Sequence, residues 1–329
     1  MLKQDWIEKG FVDEPVAEGL DLKAEIRRLC REQDAIILAH YYTVADVQDV
    51  ADFVGDSLAL ARKAAETDAK VMVMCGVHFM AETCKLLSPD KKVLCPDLNA
   101  GCSLADSCRA EDLKAFKEAH PGHQVISYVN TTAAVKALTD CVVTSGNAKK
   151  VIDSFPPDAR LIFGPDYNLG NYINSVTGRE MLLWPGGCHV HEKFSVAEIV
   201  RFKREHPEAV VMAHLECKAS VLALADVKGS TAAMLQYAQH HPDKEYIVAT
   251  EAGILHEMAR TCPGTRFYPV PPEVSEGSLG CSCNECEYMK MNSLAKIYHT
   301  LCHGWPEISI DEAVARDAVK PIERMLSLS

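Results

Sequence analysis

The stretches AIILAHYYTVADVQDVADFVGDS (35–57), HQVISYVNTTAAVKALTDCVVTS (123–145) and AVVMAHLECKASVLALADVKGST (209–231) align without a gap. Each opens with a mostly apolar run that leads into two polar residues two positions apart: His40 and Tyr42, Tyr128 and Asn130, His214 and Glu216. An aspartate comes twelve residues after the first of these, and a hydroxyl residue five positions later: Asp52 and Ser57, Asp140 and Ser145, Asp226 and Thr231. Four matching columns indicate three copies of one structural unit.

Each copy continues with a second apolar run, at 71–74, 161–163 or 246–249, and a third run that reaches Pro96, Pro185 or Pro269. We expect a helix of about 10–15 residues after each run, the alternation typical of βαβ units with a parallel sheet. Valines 44, 47, 50 and 54 have helical spacing after the first run. The sequence therefore predicts an α/β fold of three pseudo-threefold-related domains with parallel sheets.

Length and repeat positions give the expected domain boundaries. With 329 residues and 48% hydrophobic content the chain can bury a substantial core. We expect a first repeat with its N-terminal lead-in at 1–104, a second at 105–190 and a third at 191–290. Residues 291–329 are predicted to form two C-terminal helices, joined at Trp305-Pro306, that pack on the repeats.

Composition excludes several classes of protein. A net charge of −12 argues against nucleic-acid binding, which needs a basic surface. No apolar run approaches the roughly 18 residues that span a bilayer, and the charged start MLKQDWIEKGFVDEP lacks a signal-peptide core. We expect a cytoplasmic protein whose 14 cysteines stay reduced.

Three cysteines occupy equivalent places after the prolines: Cys102, Cys188 and, beyond an insertion, Cys286. A pseudo-threefold arrangement would bring their sulfurs to one axis, where three thiolates suit a [4Fe-4S] cluster with one iron free of protein ligands. Zinc is the alternative metal, bound in part by Cys281, Cys283 and Cys286. Cys283 and Cys286 also form a CxxC dithiol pattern, which leaves open a non-catalytic redox sensor.

The polar pairs lie at predicted strand ends, where ligands bind in open α/β sheets. Histidine, tyrosine and glutamate there suggest general acid–base catalysis, with His40, Tyr42, His214 and Glu216 as candidates and His191, three residues after Cys188, as a further one. Ser57, Ser145 and Thr231 follow short turns before predicted helices. Such hydroxyls bind carboxylate or phosphate, or cap the helix, or do both.

Five strings in the chain resemble the quinolinate synthase family, the A protein of bacterial NAD biosynthesis: AHYYTVADVQDVADFVGDS, CGVHFMAET, WPGGCHVHEKF, HLECKASVLALADVKGST and CNECEYMKMN. The similarity runs from about His40 to Asn292. It implies three α/β domains around a central [4Fe-4S] cluster, held by Cys102, Cys188 and Cys286. It also implies condensation of iminoaspartate with dihydroxyacetone phosphate to quinolinate, with loss of phosphate and two water molecules. Because the imine is labile in water, L-aspartate oxidase is the implied functional partner.

The same resemblance implies a set of substrate-binding residues: His40, Tyr42, Ser57, Tyr128, Asn130, Ser145, His191, His214, Glu216, Ser230, Thr231 and Met289. Glu216 and Tyr42 are the expected proton carriers among them. His189 departs from the family pattern, since we expect an apolar residue at its position.

Overall fold

The computed structural model describes residues 3–273 and 284–329. Three parallel four-stranded sheets form the framework, one from each repeat. The first contains β1 (Ala35–His40), β2 (Phe53–Gly55), β3 (Val71–Cys75) and β4 (Lys92–Leu94). The second contains β5 (Gln124–Tyr128), β6 (Cys141–Val143), β7 (Leu161–Gly164) and β8 (Leu182–Leu183). The third contains β9 (Val210–His214), β10 (Val227–Gly229), β11 (Glu245–Ala249) and β12 (Arg266–Pro269).

The three sheets share one strand order: β2-β1-β3-β4, β6-β5-β7-β8 and β10-β9-β11-β12. The first strand of each repeat is interior, because the chain adds its second strand on one side and its third on the other. This reversal creates a topological switch point beside the first strand, where α/β sheets bind ligands. The predicted α/β class with three parallel-sheet repeats is confirmed.

Helices connect the strands. Those ahead of and within the first repeat are α1 (Gln4–Lys9), α2 (Leu22–Gln33), α3 (Ala45–Val50), α4 (Ser57–Glu66), α5 (His78–Leu87) and α6 (Ser103–Asp106). The second repeat adds α7 (Ala110–Ala119), α8 (Ala133–Lys136), α9 (Ala148–Asp153) and α10 (Tyr167–Thr177). A 3₁₀ turn (His191–Lys193) precedes α11 (Val196–Glu205), α12 (Ala219–Leu222), α13 (Thr231–His240) and α14 (Ile254–Thr261). The last helices are α15 (Glu287–Lys290), α16 (Leu294–His303) and α17 (Glu312–Leu328).

The aspartate column fixes the register of each sheet. Asp52 Oδ2 accepts the Ile37 amide at 2.8 Å, while its own amide donates to the Ile37 carbonyl at 3.0 Å. Asp140 with Val125 and Asp226 with Val211 repeat this two-bond clamp. The clamp joins the start of the edge strand to the first strand of the repeat. The three aspartates therefore have a structural role.

The helix predicted after the first strand of each repeat is wrong in length. Its counterparts α3, α8 and α12 contain six, four and four residues. Val54, which the helical spacing included, lies in β2. The reason is the aspartate clamp, which returns the chain to the sheet twelve residues after the central strand and leaves room for one or two turns of helix.

The C-terminal helices pack on elements of the repeats and on the helix that precedes them. Helix α16 packs against α2, and α17 packs against α8 and β6. Between them, the Ile308 amide donates to the Val93 carbonyl at 2.9 Å, which fastens the connection to β4. The domain boundaries at 104, 190 and 290 stay a prediction. Within the described ranges, no helix is long and apolar enough to cross a membrane.

Candidate active site

The carboxyl ends of β1, β5 and β9 converge on one cavity. Its space is about 710 Å³, including the part open to solvent. The predicted residues that line it are His40, Tyr42, Ser57, Tyr128, Asn130, Ser145, His191, His214, Glu216, Thr231 and Met289, with Cys102, Cys188 and Cys286. Residues from all three repeats therefore meet at one site.

Glu216 is the centre of a buried hydrogen-bond network. Its Oε1 accepts from the Tyr128 hydroxyl at 2.5 Å, and His191 Nδ1 lies 3.1 Å from its Oε2. Burial raises the pKa of Glu216, but the adjacent His191 and His214 and the hydrogen bonds from His191 and Tyr128 more than offset this effect. The net shift places the pKa of Glu216 below its usual range. The site thus contains an ionised carboxylate that is only 4% exposed.

His40 and His214 have the same local geometry in two repeats. His40 Nδ1 accepts the Tyr42 amide at 3.1 Å, and His214 Nδ1 accepts the Glu216 amide at 3.3 Å. Burial lowers the pKa of His40 to about 3 and that of His214 to about 4. Both rings are therefore neutral, with the proton on Nε2, which in His214 lies 3.2 Å from Ser145 Oγ. This state suits hydrogen-bond donation to a ligand better than proton release.

A hydrogen-bond relay connects Tyr42 to Glu216. The Tyr42 hydroxyl lies 2.7 Å from Thr250 Oγ1, which lies 3.0 Å from His191 Nε2, and His191 Nδ1 reaches Glu216. Tyr42 also contacts Thr231 Oγ1 at 2.7 Å. Burial, followed by the charge of Glu216, raises the pKa of Tyr42 well above its ordinary value, so the phenol stays protonated. The relay gives protons a path between two repeats.

The hydroxyl column lies at the edge of the site, beside the helix caps. Asp56 caps α4 through the Ala59 amide, and Ser230 caps α13 through the Ala233 amide. Ser57 and Thr231 are the first residues of those helices and line the cavity, where the Thr231 hydroxyl is also bonded to Tyr42. Ser230 is 4% exposed and is not among the lining residues.

Two further predicted residues border the same space. Asn130 Oδ1 is buried and has no hydrogen-bond partner among the described residues. Met289 is 7% exposed and belongs to the main apolar core. An amide with an unused acceptor is suited to a ligand that donates a hydrogen bond, whereas Met289 contributes an apolar wall.

The three cysteines on the cavity wall fit a metal group with sulfur ligands. Each lies at a helical start: Cys102 and Cys286 directly precede α6 and α15, and Cys188 is three residues ahead of the 3₁₀ turn. They are partly exposed, whereas eight of the nine other described cysteines are buried. Burial raises the pKa of Cys102 to about 12 and that of Cys286 to about 11, against the opposing effect of nearby backbone amides. Metal binding must therefore release the thiol protons.

Comparisons with known proteins identify the family. The model for the quinolinate synthetase A protein matches residues 24–327. The chain belongs to the quinolinate synthase family. A quinolinate synthase from Nostoc sp. is 51% identical over 316 residues, which cover 96% of this chain and 96% of the relative. One from Nostoc punctiforme is 52% identical over 310 residues, 94% of each chain. One from Synechocystis sp. is 50% identical over 309 residues, 94% of this chain and 96% of that protein.

Membership of the quinolinate synthase family settles one alternative. The chain is an enzyme, so the hypothesis of a non-catalytic redox sensor is wrong. The similarity predicted from sequence strings is confirmed. Cys281 and Cys283, which the zinc and dithiol hypotheses need, lie outside the described residues.

His189, the departure from the quinolinate synthase pattern, lies between the cysteine segments. Its Nδ1 is 2.6 Å from the hydroxyl of Ser103, the residue after Cys102. Its Nε2 is 3.9 Å from Glu287, the residue after Cys286, and its ring meets that of Tyr288 edge-on. The ring thus bonds to the segment of Cys102 and packs against that of Cys286, while its Nε2 has no hydrogen-bond partner among the described residues.

The sequence analysis missed residues that follow the third strand of the third repeat. Thr250 belongs to the relay, and Glu251 Oε1 accepts from the Cys286 amide at 3.0 Å and from Lys290 Nζ at 2.8 Å. Lys290 also donates to the Tyr42 carbonyl at 2.8 Å. These residues could have been predicted from their place after β11, because the end of β11 lies beside the end of β9 in the sheet.

Proposed function

We propose that this chain makes quinolinate for NAD biosynthesis by condensing iminoaspartate with dihydroxyacetone phosphate. The products are quinolinate, phosphate and two water molecules, so atoms balance without an oxidant. One carbon–carbon and one carbon–nitrogen bond form. Phosphate leaves in one elimination, and water leaves in two. The printed names of the relatives support the product, and the cavity supports the chemistry.

We further propose that Cys102, Cys188 and Cys286 hold a [4Fe-4S] cluster. The fit rests on three sulfur donors from three repeats facing one cavity, since cysteine thiolate is the usual ligand of such clusters. When bound, the cluster supplies an iron with an open coordination position that acts as a Lewis acid toward a substrate oxygen or nitrogen.

The acid–base work falls to Glu216 and its partners. The ionised carboxylate accepts a proton from substrate carbon or nitrogen, as each elimination and ring closure requires. Tyr128 donates to Glu216 at 2.5 Å and holds it in place. The relay through His191 and Thr250 gives that proton an exit toward Tyr42. Tyr42 is then the group that returns a proton to a departing hydroxyl.

Substrate anions meet neutral donors at this site. His40 and His214 carry their protons on Nε2, and Ser57, Ser145 and Thr231 add hydroxyls. The amino termini of α4 and α13 begin at Ser57 and Thr231, where backbone amides favour carboxylate and phosphate groups. Ser230 acts through the cap of α13, while Asn130 and Met289 complete the wall. Neutral donors bind the anions and leave Glu216 ionised.

Supply of the imine completes the proposal. Iminoaspartate hydrolyses in water, so L-aspartate oxidase must produce it close to its use, in the cytoplasm. The two enzymes need to work together but need not bind each other, since a short time between production and use of the imine is enough.

One observation carries the proposal: a cysteine sulfur and the acid–base residues lie together in one cavity. Cys188 Sγ, a ring nitrogen of His191 and a carboxylate oxygen of Glu216 lie within 4.8 Å of one another. A sulfur ligand is therefore in direct reach of the acid–base network, and substrate bound at the metal would contact both.

The test removes the cysteines one at a time. Cys102→Ser, Cys188→Ser and Cys286→Ser should each abolish the iron and sulfide content of anaerobically reconstituted protein, and with it quinolinate formation. Cys95→Ala is the matched control, because Cys95 is buried in the same segment as Cys102. The assay supplies dihydroxyacetone phosphate and iminoaspartate, generated in place by L-aspartate oxidase.

Two results would contradict the proposal separately. Loss of iron in Cys95→Ala with retention in one of the three serine variants would overturn the ligand assignment. Absence of quinolinate from wild-type protein with full iron and sulfide would overturn the reaction. Air should inactivate the wild type and anaerobic iron with sulfide should restore it, whereas a zinc enzyme would keep its activity in air.

A further inference from the structure

A second group of metal-binding side chains lies apart from the cavity. Glu14 precedes α2, and His299 and His303 are four residues apart on α16, where such a spacing places both rings on one face. One ligand atom from each of the three lies within 4.8 Å of the other two. None of these residues lines the active-site cavity. Glu14 also precedes the range 24–327 matched by the family model.

The three side chains are only partly paired. His303 Nε2 lies 3.0 Å from Glu14 Oε2, and Lys3 Nζ lies 2.5 Å from Glu14 Oε1. His299 is 5% exposed, and its Nε2 has no hydrogen-bond partner among the described residues. Buried ring nitrogens are nearly always paired, so an unpaired one beside a second histidine and a carboxylate points to a missing ligand.

The donor set selects the metal. Two imidazole nitrogens and one carboxylate oxygen are ligands that Zn²⁺ commonly takes from proteins, with water in the fourth position. Calcium and magnesium prefer oxygen ligands throughout. Lys3 would remain on the second carboxylate oxygen, as the outer partner that metal-bound carboxylates usually have.

The surroundings are those of a structural site. The ring of Trp6, which is 3% exposed, lies 4.7 Å from the ring of His303. The segment that carries Glu14 is bonded to the loop before Cys102, since the Leu98 amide donates to the Gly10 carbonyl at 2.9 Å and Asn99 Nδ2 to the Lys9 carbonyl at 2.6 Å. A metal here would fasten the N-terminal segment, which these bonds already hold to that loop, to α16 as well.

We propose that Glu14, His299 and His303 bind one Zn²⁺ ion, with water as the fourth ligand, and that this ion secures the N-terminal segment. The site is independent of the cysteines and of the reaction proposed above.

The experiment titrates ZnCl₂ into cluster-loaded, chelator-treated full-length protein under anaerobic conditions, with calorimetry and thermal melting as readouts. One Zn²⁺ should bind per chain without loss of iron, and the melting temperature should rise. His303→Gln and Glu14→Gln should each weaken zinc binding at least about 100-fold, because even outer partners of a metal ligand are worth 10–100-fold. Both replaced residues are at the surface, so the variants should fold.

Two controls make the result specific. His256 matches His303, with 33% against 32% side-chain exposure and a carboxylate contact of 2.8 Å to Asp49. Among the described residues, however, it belongs to no group of three metal-binding side chains. His256→Gln should bind zinc as the wild type does. Cys302→Ala should do so too, although Cys302 is exposed next to His303. The site would be overturned if the wild type bound no zinc, or if the His303 and Glu14 variants bound zinc with the affinity of the wild type. Loss of zinc binding in either control variant would also overturn it.

Discussion

The loops after the first strands of repeats one and two are anchored differently from the loop of repeat three. Gln48 Nε2 donates to the carbonyls of Tyr41 and Thr43 at 2.9 and 2.8 Å, and so encloses Tyr42. Lys136 occupies the same position in repeat two, and its Nζ donates to the carbonyls of Val129 and Thr131 on either side of Asn130. The third repeat has Leu222 at this position, packed in an apolar cluster.

A second aligned position, three residues after the end of each first strand, also changes from polar in repeats one and two to apolar packing in repeat three. The hydroxyls of Thr43 and Thr131 donate to the carbonyls of His40 and Tyr128 at 2.9 and 3.1 Å. Their counterpart Cys217 lies in the apolar cluster with Leu222. The third loop carries Glu216, whose own side chain is fixed by Tyr128 and His191. The difference shows two ways to hold such a loop. The third loop is held by apolar packing and by the bonds to Glu216, whereas the first two are held by side chains that bond to their own backbone carbonyls, and Tyr42 in the first is also bonded by Thr231 and Thr250.

The largest expected effect comes from the residue that makes the third loop different. Glu216→Gln should lower quinolinate turnover by about 10²–10⁴-fold, because the amide keeps the shape but cannot accept a proton. Anaerobic product formation is measured beside iron content and thermal melting. Glu251→Gln is a matched control for a buried carboxylate that contacts a cysteine segment. Near-normal turnover would remove Glu216 from the chemistry, and lost iron or a lower melting temperature would make it structural.

The second effect is on stability and falls on the anchored loops. Lys136 is fully buried, and Lys136→Met leaves the Thr131 carbonyl unpaired, while the Val129 carbonyl keeps its bond from the Thr131 amide at 2.8 Å. An unpaired buried group costs about 1–3 kcal/mol, so the free energy of unfolding should fall by about 2 kcal/mol. Chemical denaturation of the cluster-free chain measures the change.

Variants at the equivalent positions test whether the anchors matter. Leu222→Met keeps volume and polarity, so it should cost less than about 1.5 kcal/mol. Gln48→Leu, which gives repeat one the apolar pattern of repeat three, leaves the Tyr41 and Thr43 carbonyls unpaired and should cost at least as much as Lys136→Met. Equal losses of unfolding free energy in all three variants would show that the difference in anchoring does not affect stability.

The last effect is a pH dependence that repeats one and three share and repeat two lacks. Their buried histidines have pKa values of about 3 for His40 and about 4 for His214, against 6.5 for the free side chain. Below pH 6.5 the unfolded chain takes up a proton at each position and the folded chain does not. The free energy of unfolding should therefore fall by about 1.4 kcal/mol per pH unit for each histidine as the pH drops from 6.5 toward 4.

Single variants separate the contributions to this slope. His214→Gln and His40→Gln should each reduce the dependence by that amount in denaturation measured between pH 7 and pH 5. Tyr128→Phe, at the equivalent position of repeat two, should leave it unchanged, because burial keeps the pKa of Tyr128 well above 10. An unchanged slope in both histidine variants would mean that these rings titrate in the folded chain.

The comparison also separates what local pattern predicts from what it misses. The long central strands were predictable because their apolar runs are unmistakable, but β2, β6 and β10 have three residues each, too short for any periodicity. Eleven of the twelve predicted non-cysteine residues line the cavity. Nine of them lie at or just after strand ends, since the carboxyl ends of parallel strands share one edge, whereas His191 follows Cys188 and Met289 was implied by the family resemblance alone. Ser230 is the exception, because it caps its helix.

The sequence by itself determined the three repeats, the strand ends where the site forms and the cysteines that reach it, because these follow from local apolar runs and their equivalent positions. Only the tertiary structure decided how those residues act on one another. Glu216 pairs with Tyr128 from 88 residues away, and Thr250 completes the relay between Tyr42 and His191. Charge state and proton paths depend on burial and on distances between groups far apart in the chain, and no local pattern records either.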